Sequence, residues 1–252
     1  MRPLCSLLVL GIAAGCGTLL DVADDPPPAT PLPNGDGGAD AESSKDAAAL
    51  PDGSPIDGAP EASCGDTSSD PANCGSCGRK CNVGGTCKAG KCDRFVVFVT
   101  STAMNGAFTL VAADGECAAR AQAGSLGGTF RAWMPSPGAT PNRFAPPVLA
   151  PYYRTNGDQV APQWPPGSTL SLPISYDEKG VARPSALVWS ELDGNGDVTG
   201  INDCLGWVNP AANQQGGYGR ASATDGTWTQ PVSASDVQSC DQSLAFYCVE
   251  RP

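Results

Sequence analysis

Residues 94–134, RFVVFVTSTAMNGAFTLVAADGECAARAQAGSLGGTFRAWM, decide how the larger part of this chain folds. The stretch opens with Arg94-Phe-Val-Val-Phe-Val-Thr100, a β-branched and aromatic run that reads as a strand. Asp114 follows as a candidate N-cap, 115–123 reads as a helix with Cys117 in its first turn, and Gly124 stops it. The run 130–134 is a short buried strand. No other segment downstream reads convincingly as a helix. Gly and Pro recur throughout the rest, and short strands are predicted at 168–174, 186–191, 206–208 and 245–250. A strand, a helix and then many short strands on long loops is an α+β pattern. Residues 95–252 are enough for one domain with its own core.

Upstream, residues 64–94 carry Cys64, Cys74, Cys77, Cys81, Cys87 and Cys92 and almost nothing apolar; Val83 is the only large aliphatic residue between the first and last of these cysteines. A unit of this size cannot form a sufficient core and needs covalent or metal staples. Cys74-x-x-Cys77 with Cys87-x4-Cys92 has the look of a zinc knuckle, but an exported chain meets an oxidising compartment, which favours three disulfides. Fifteen pairings are open to six cysteines. The turn-rich setting between Gly75 and Gly78 is unlike the helix start that makes a CxxC redox-active. The string resembles short Asn-Cys-Gly-x-Cys-Gly-x-x-Cys repeats of exported, often lipidated, proteins of delta-proteobacteria, which implies a rigid spacer or cap.

Residues 1–15 have a basic start and an apolar run too short to span a bilayer, as in a signal peptide. The run ends in Ala-Ala-Gly-Cys16, which resembles a bacterial lipobox and implies lipidation of Cys16, with Ala13 in place of the usual Leu. Residues 16–63 form a tether. Between 17 and 63 eight Asp and two Glu face only Lys45, so most of the chain's net charge of −11 lies there. Such a segment buries too little apolar surface to order itself and, as a coil, reaches roughly 40 Å. Acidity of this kind gives no support to nucleic-acid binding.

A set of motifs in 95–250 carries a further resemblance. These are Phe98-Val-Thr-Ser101, Asp114-x-x-Cys117, Gly128-Thr-Phe-Arg-Ala-Trp-Met134, Arg143, Arg154 with Asp158, Trp164, Val188-Trp189, Cys204-x-x-Trp207, Trp228-Thr229, Cys240 and Phe246-Tyr-Cys-Val-Glu250. In that order they resemble the bacterial endostatin-like domain of outer-membrane lipoproteins, a relative of the C-type lectin fold. The resemblance implies a disulfide-linked lectin-like domain with one main helix. It also implies the pairs Cys117–Cys248 and Cys204–Cys240; the residues alone leave three pairings equal.

The chain has no histidine, which removes Ser-His-Asp and Cys-His triads and histidine zinc sites. No carboxylate pair stands in a distinctive motif, and the chain is read as a non-enzyme. Asp193-Gly-Asn-Gly-Asp197 presents hard ligands at Asp193, Asn195 and Asp197, so calcium is the one cofactor entertained. A polar hairpin turn is the favoured reading, because the EF-hand Gly and Glu positions hold Val198 and Cys204. Tyr152, Tyr153 and Trp164 lie among prolines as candidate ligand-binding aromatics, with loop packing as the commoner role. The expected function is a monomeric, outer-membrane lipoprotein whose lectin-like domain binds an extracellular polysaccharide or protein. The alternatives are a structural envelope lipoprotein and, behind it, a cell-wall or polysaccharide hydrolase.

Overall fold

The computed structural model describes residues 64–136, 142–200, 203–230 and 237–252, all within one compact unit, Gly58–Pro252. The signal, Cys16 and the acidic tether lie outside the described residues. The fold is a mixed α/β arrangement with one main helix, many short strands and five disulfides, headed by the cysteine-rich module.

The module replaces a hydrophobic core with sulfur. Cys64–Cys77, Cys74–Cys87 and Cys81–Cys92 are paired at Cα separations of 5.4, 5.5 and 5.4 Å. Loops this short are each worth about 3 kcal/mol in the chain-entropy model. Cys74, Cys81, Cys87 and Cys92 are buried against one another, around a hairpin of β1 (Cys87–Lys88) and β2 (Lys91–Cys92).

The apolar run at the head of the domain becomes β3 (Phe95–Val99), and all five of its residues are buried. Alternate side chains of a strand point to opposite faces. Accordingly Phe95, Val97 and Val99 join one core cluster, while Val96 and Phe98 join another. Such a strand needs cover on both sides. The helix α1 (Leu110–Ala123) supplies it on one face, setting Ala113, Cys117 and Ala121 at four-residue spacing against β4 (Thr129–Ala132) and β10 (Tyr247–Arg251). The five-stranded sheet also holds β5 (Tyr152–Tyr153) and β6 (Gln159–Ala161), in the order β4-β10-β3-β5-β6. Only the β3–β5 pair is parallel. A second sheet has the order β7 (Leu187–Trp189), β8 (Gln215–Arg220), β9 (Val237–Ser239).

The helix begins earlier than its sequence suggests. Thr109 is the N-cap, accepting from the Ala112 amide at 3.1 Å. Asp114 lies inside the helix and ties it to its neighbours, accepting from the Ala132 amide at 2.9 Å and from Arg143 at 2.7 and 2.5 Å. The strands predicted at 168–174 and 206–208 do not form. In the first, Leu170 and Ile174 are buried four residues apart in irregular chain, and the Ser171 amide donates to Val160. The second is part of a left-handed turn described below. The run 186–191 is β7 at its start, and 245–250 supplies most of β10.

Two bridges close the domain. Cys117 on α1 is bonded to Cys248 on β10, and Cys204 to Cys240, the partners the resemblance implies. Their loops of 131 and 36 residues correspond to about 5 and about 4 kcal/mol on the chain-entropy model.

The module is bonded to the sheet through two buried side chains. The Asn82 amide donates to the Gly127 carbonyl at 2.8 Å and to Glu250 Oε2 at 2.9 Å, and accepts from the Gly127 amide at 2.8 Å. The Val96 amide donates to the same Glu250 oxygen at 2.8 Å. Gly128 must be glycine here: its φ is +89°, and a Cβ would stand 2.6 Å from Glu250 Oε1. Burial pushes Glu250 up to about 7, against the pull of the Asn82 and Val96 hydrogen bonds and the Arg79 charge.

Candidate functional site

Beyond β7 the chain runs on through Ser190 to Glu191. The chain then turns back on itself, with Leu192 bridged to Val198, and the Thr199 amide donates to the Glu191 carbonyl at 2.8 Å. Past the turn, Asp203 bridges to Gly216 on β8. Between these elements lies an open groove of about 320 Å³, lined by Glu191, Val198, Asp203, Leu205, Gln214 and Gln215.

The wall carrying Leu205 is strained. Cys204, Leu205, Gly206 and Trp207 have φ of 52°, 58°, 77° and 62°, a left-handed turn in which three of four residues carry a Cβ. Each such residue costs about 1–2 kcal/mol. Strain of this kind persists only where its surroundings over-determine it, and it concentrates at functional sites. The surroundings here are the Cys204–Cys240 bond and Trp207, which stacks on Phe108 at 5.2 Å and meets Trp189 edge-on at 5.5 Å. Gly216 lets β8 pass beneath, since a Cβ there would be 2.8 Å from the Trp189 ring and 2.9 Å from the Cys204 sulfur.

Glu191 is 4% exposed, and its carboxylate has no hydrogen-bond partner among the described residues. Burial first, and the Asp203 carboxylate second, push it up to about 7. The groove thus offers a carboxyl group poised between its two protonation states, a second carboxylate, two carboxamides and two exposed aliphatic side chains. That set can donate and accept hydrogen bonds to a polyhydroxyl ligand while covering an apolar patch of it.

The residues singled out from sequence lie elsewhere. Tyr152 and Trp164 are fully buried and cannot form a surface platform. The Trp164 ring lies 5.1 Å from Trp133, 5.7 Å from Trp228 and 5.2 Å from Tyr152, forming the aromatic centre of the loop-side core. Prolines around them made these residues look exposed, whereas the loops fold inward over the sheet. Tyr153 is half-buried beneath Arg94, whose guanidinium lies 4.9 Å from its ring. The Asp193–Asp197 segment is a self-bonded hairpin turn: Asp193 Oδ1 accepts from the Asn195 and Asp197 amides at 2.8 and 3.0 Å. Among the described residues, the group of three Cys, Asp or Glu with ligand atoms within 4.8 Å is Cys74, Cys81 and Cys92, all in disulfides. The local sequence signal for Glu191 is an acid ending the run Leu187-Val-Trp-Ser190.

Residues 54–99 match the model of the Stigma-specific STIG1-like protein family, a stretch that takes in the six-cysteine module and β3. No curated protein matches the chain. No helix among the described residues is long and apolar enough to cross a membrane.

Proposed function

We propose that this chain is a binding lipoprotein of the outer membrane, anchored through Cys16, monomeric, and held off the surface by its acidic tether. Its C-terminal domain is lectin-like, and the groove around Glu191 and Asp203 takes an extracellular polysaccharide. Support for the lectin-like reading comes from the neighbouring first and last strands of the domain, the helix-to-last-strand bond Cys117–Cys248 and the bond Cys204–Cys240 within the loops. The observation that carries the ligand class is the Glu191 carboxyl, on a largely buried residue and without a hydrogen-bond partner among the described residues, facing an open groove beside Asp203 and two glutamines. A sugar hydroxyl satisfies such a group in the way water does, and the exposed Val198 and Leu205 suit the apolar face of a pyranose.

The test is a glycan and matrix-protein array probed with the full chain carrying Cys16→Ser, run with calcium and with chelator. Binding to a polysaccharide that falls at least tenfold in Glu191→Gln supports the proposal. Unchanged binding by that variant, or binding to matrix proteins alone, refutes the groove as the site.

One second reading has an observation behind it. A glycoside hydrolase uses two carboxyl groups across a sugar, one with a raised pKa as the acid. Glu191 and Asp203 offer that pair. Release of reducing ends from a polysaccharide bound on the array, abolished in Glu191→Gln, would make the groove catalytic.

A further inference from the structure

A second cavity lies where the six-cysteine module meets the sheet. It measures about 470 Å³, within the usual range of small-ligand sites. The domain contributes Phe95, Val148, Leu149 and Ala150, and the module contributes Arg79 and Lys91. Leu149 is 79% exposed, an apolar side chain left standing at the rim. No Asp or Glu lines the cavity, although the last residue, Pro252, does; neither Arg79 nor Lys91 makes an ion pair among the described residues, and Arg79 acts on Glu250 only through its longer-range charge. The hollow exists because its module wall is bare backbone. Gly75 and Gly90 meet there with φ of 78° and 72°, and a Cβ on Gly90 would lie 3.3 Å from the Gly75 Cα.

An apolar floor with two unpaired cations at its edge is complementary to one kind of molecule. We infer that this cleft binds a small amphiphilic anion: an acyl or aryl body seated on Phe95, Val148 and Leu149, with a single carboxylate head held by Arg79 and Lys91. The apolar body displaces water from surface that the fold leaves uncovered. The head pairs with charges that make no ion pair among the described residues, and a guanidinium can hold a carboxylate by two hydrogen bonds. The site is separate from the Glu191 groove and does not depend on what that groove binds. It makes the docked module part of a binding site as well as a cap.

Isothermal titration of the full chain carrying Cys16→Ser with decanoate, decanol and acetate tests this inference. Decanoate is expected to bind at least tenfold more tightly than decanol, and acetate to give no heat. The double variant Arg79→Gln, Lys91→Gln should weaken decanoate roughly tenfold, as expected for the loss of two partly exposed charge contacts. Decanol binding should be unchanged in that variant, which also shows that the cleft is intact. Leu149→Asn should weaken both. Equal affinity for decanoate and decanol, no binding of decanoate, or an unaltered double variant would each overturn the inference. So would binding to vesicles of an anionic phospholipid without binding to decanoate, since that assigns the patch to a membrane surface.

Discussion

Glu250→Gln should stabilise this protein, and only above mildly acidic pH. The carboxyl is fully buried between module and sheet, and burial raises it from the ordinary 4.5 to about 7. Below pH 4.5 the folded and unfolded chains both hold the proton. Between 4.5 and 7 only the folded chain holds it, so stability falls as pH rises; above 7 both have lost it and the curve flattens. At about 1.4 kcal/mol per pH unit the whole loss is about 3 kcal/mol. Glu191 is raised over the same interval, so the wild-type slope in that window should be about twice that of one group. Glutamine keeps an oxygen for the Asn82 and Val96 donors and cannot ionise. Urea unfolding with disulfides intact, followed by the buried tryptophans at pH 4.5, 6, 7 and 8, measures the effect. The variant should match wild type at pH 4.5 and exceed it by about 3 kcal/mol at pH 8, with the slope halved. Parallel curves for the two proteins would refute the argument that Glu250 is held neutral in the fold.

Four further outcomes are expected. Thr229→Val should cost about 2–4 kcal/mol in the same unfolding assay, because the hydroxyl accepts from the Trp133 indole at 2.6 Å, donates to the Leu192 carbonyl at 3.0 Å and meets Ser190 Oγ at 2.9 Å, all buried. Asn82→Ala should raise amide hydrogen exchange across 64–92 and at Gly127 by about two orders of magnitude, since three hydrogen bonds from the module to Gly127 and Glu250 are lost together. Intact mass before and after reduction should differ by ten hydrogens for the five bonds when a chain beginning after Cys16 is analysed, and replacing Cys117 and Cys248 by Ala should cost about 5 kcal/mol.

What could be read in advance followed from strong local chemistry. The run Phe95–Val99 has no polar position, so a doubly covered strand was its natural fate. Gly124 is the C-cap of the helix, at φ −87°, and the left-handed residue that turns the chain away is Ser125, at φ 56°; at the start, Asp114 and Thr109 offer the same capping role. Thr109 wins since Leu110-Val-Ala-Ala113 continues the helix upstream, which frees Asp114 to bind Arg143. The loop side was less legible. Trp164 and Tyr152 lie among prolines, and nothing local says that those loops fold inward over the sheet. The Glu191 groove needs Asp203 and Gln214 brought to one place by the strand pairing Asp203–Gly216, a long-range event without a local signature.

The strands that begin and end the domain, β3 and β10, lie side by side in the middle of the sheet, and the bond from α1 to β10 locks them there. The two ends of the domain therefore meet at the centre of its frame. The hundred or so residues between β4 and β10 supply β5, β6 and the aromatic core over one face of β3, so what can be rewritten without reopening the frame is the exposed turns among them. A scaffold of this kind should accept grafted loop sequences at the Glu191 face, and lineages carrying it would be expected to diverge there first.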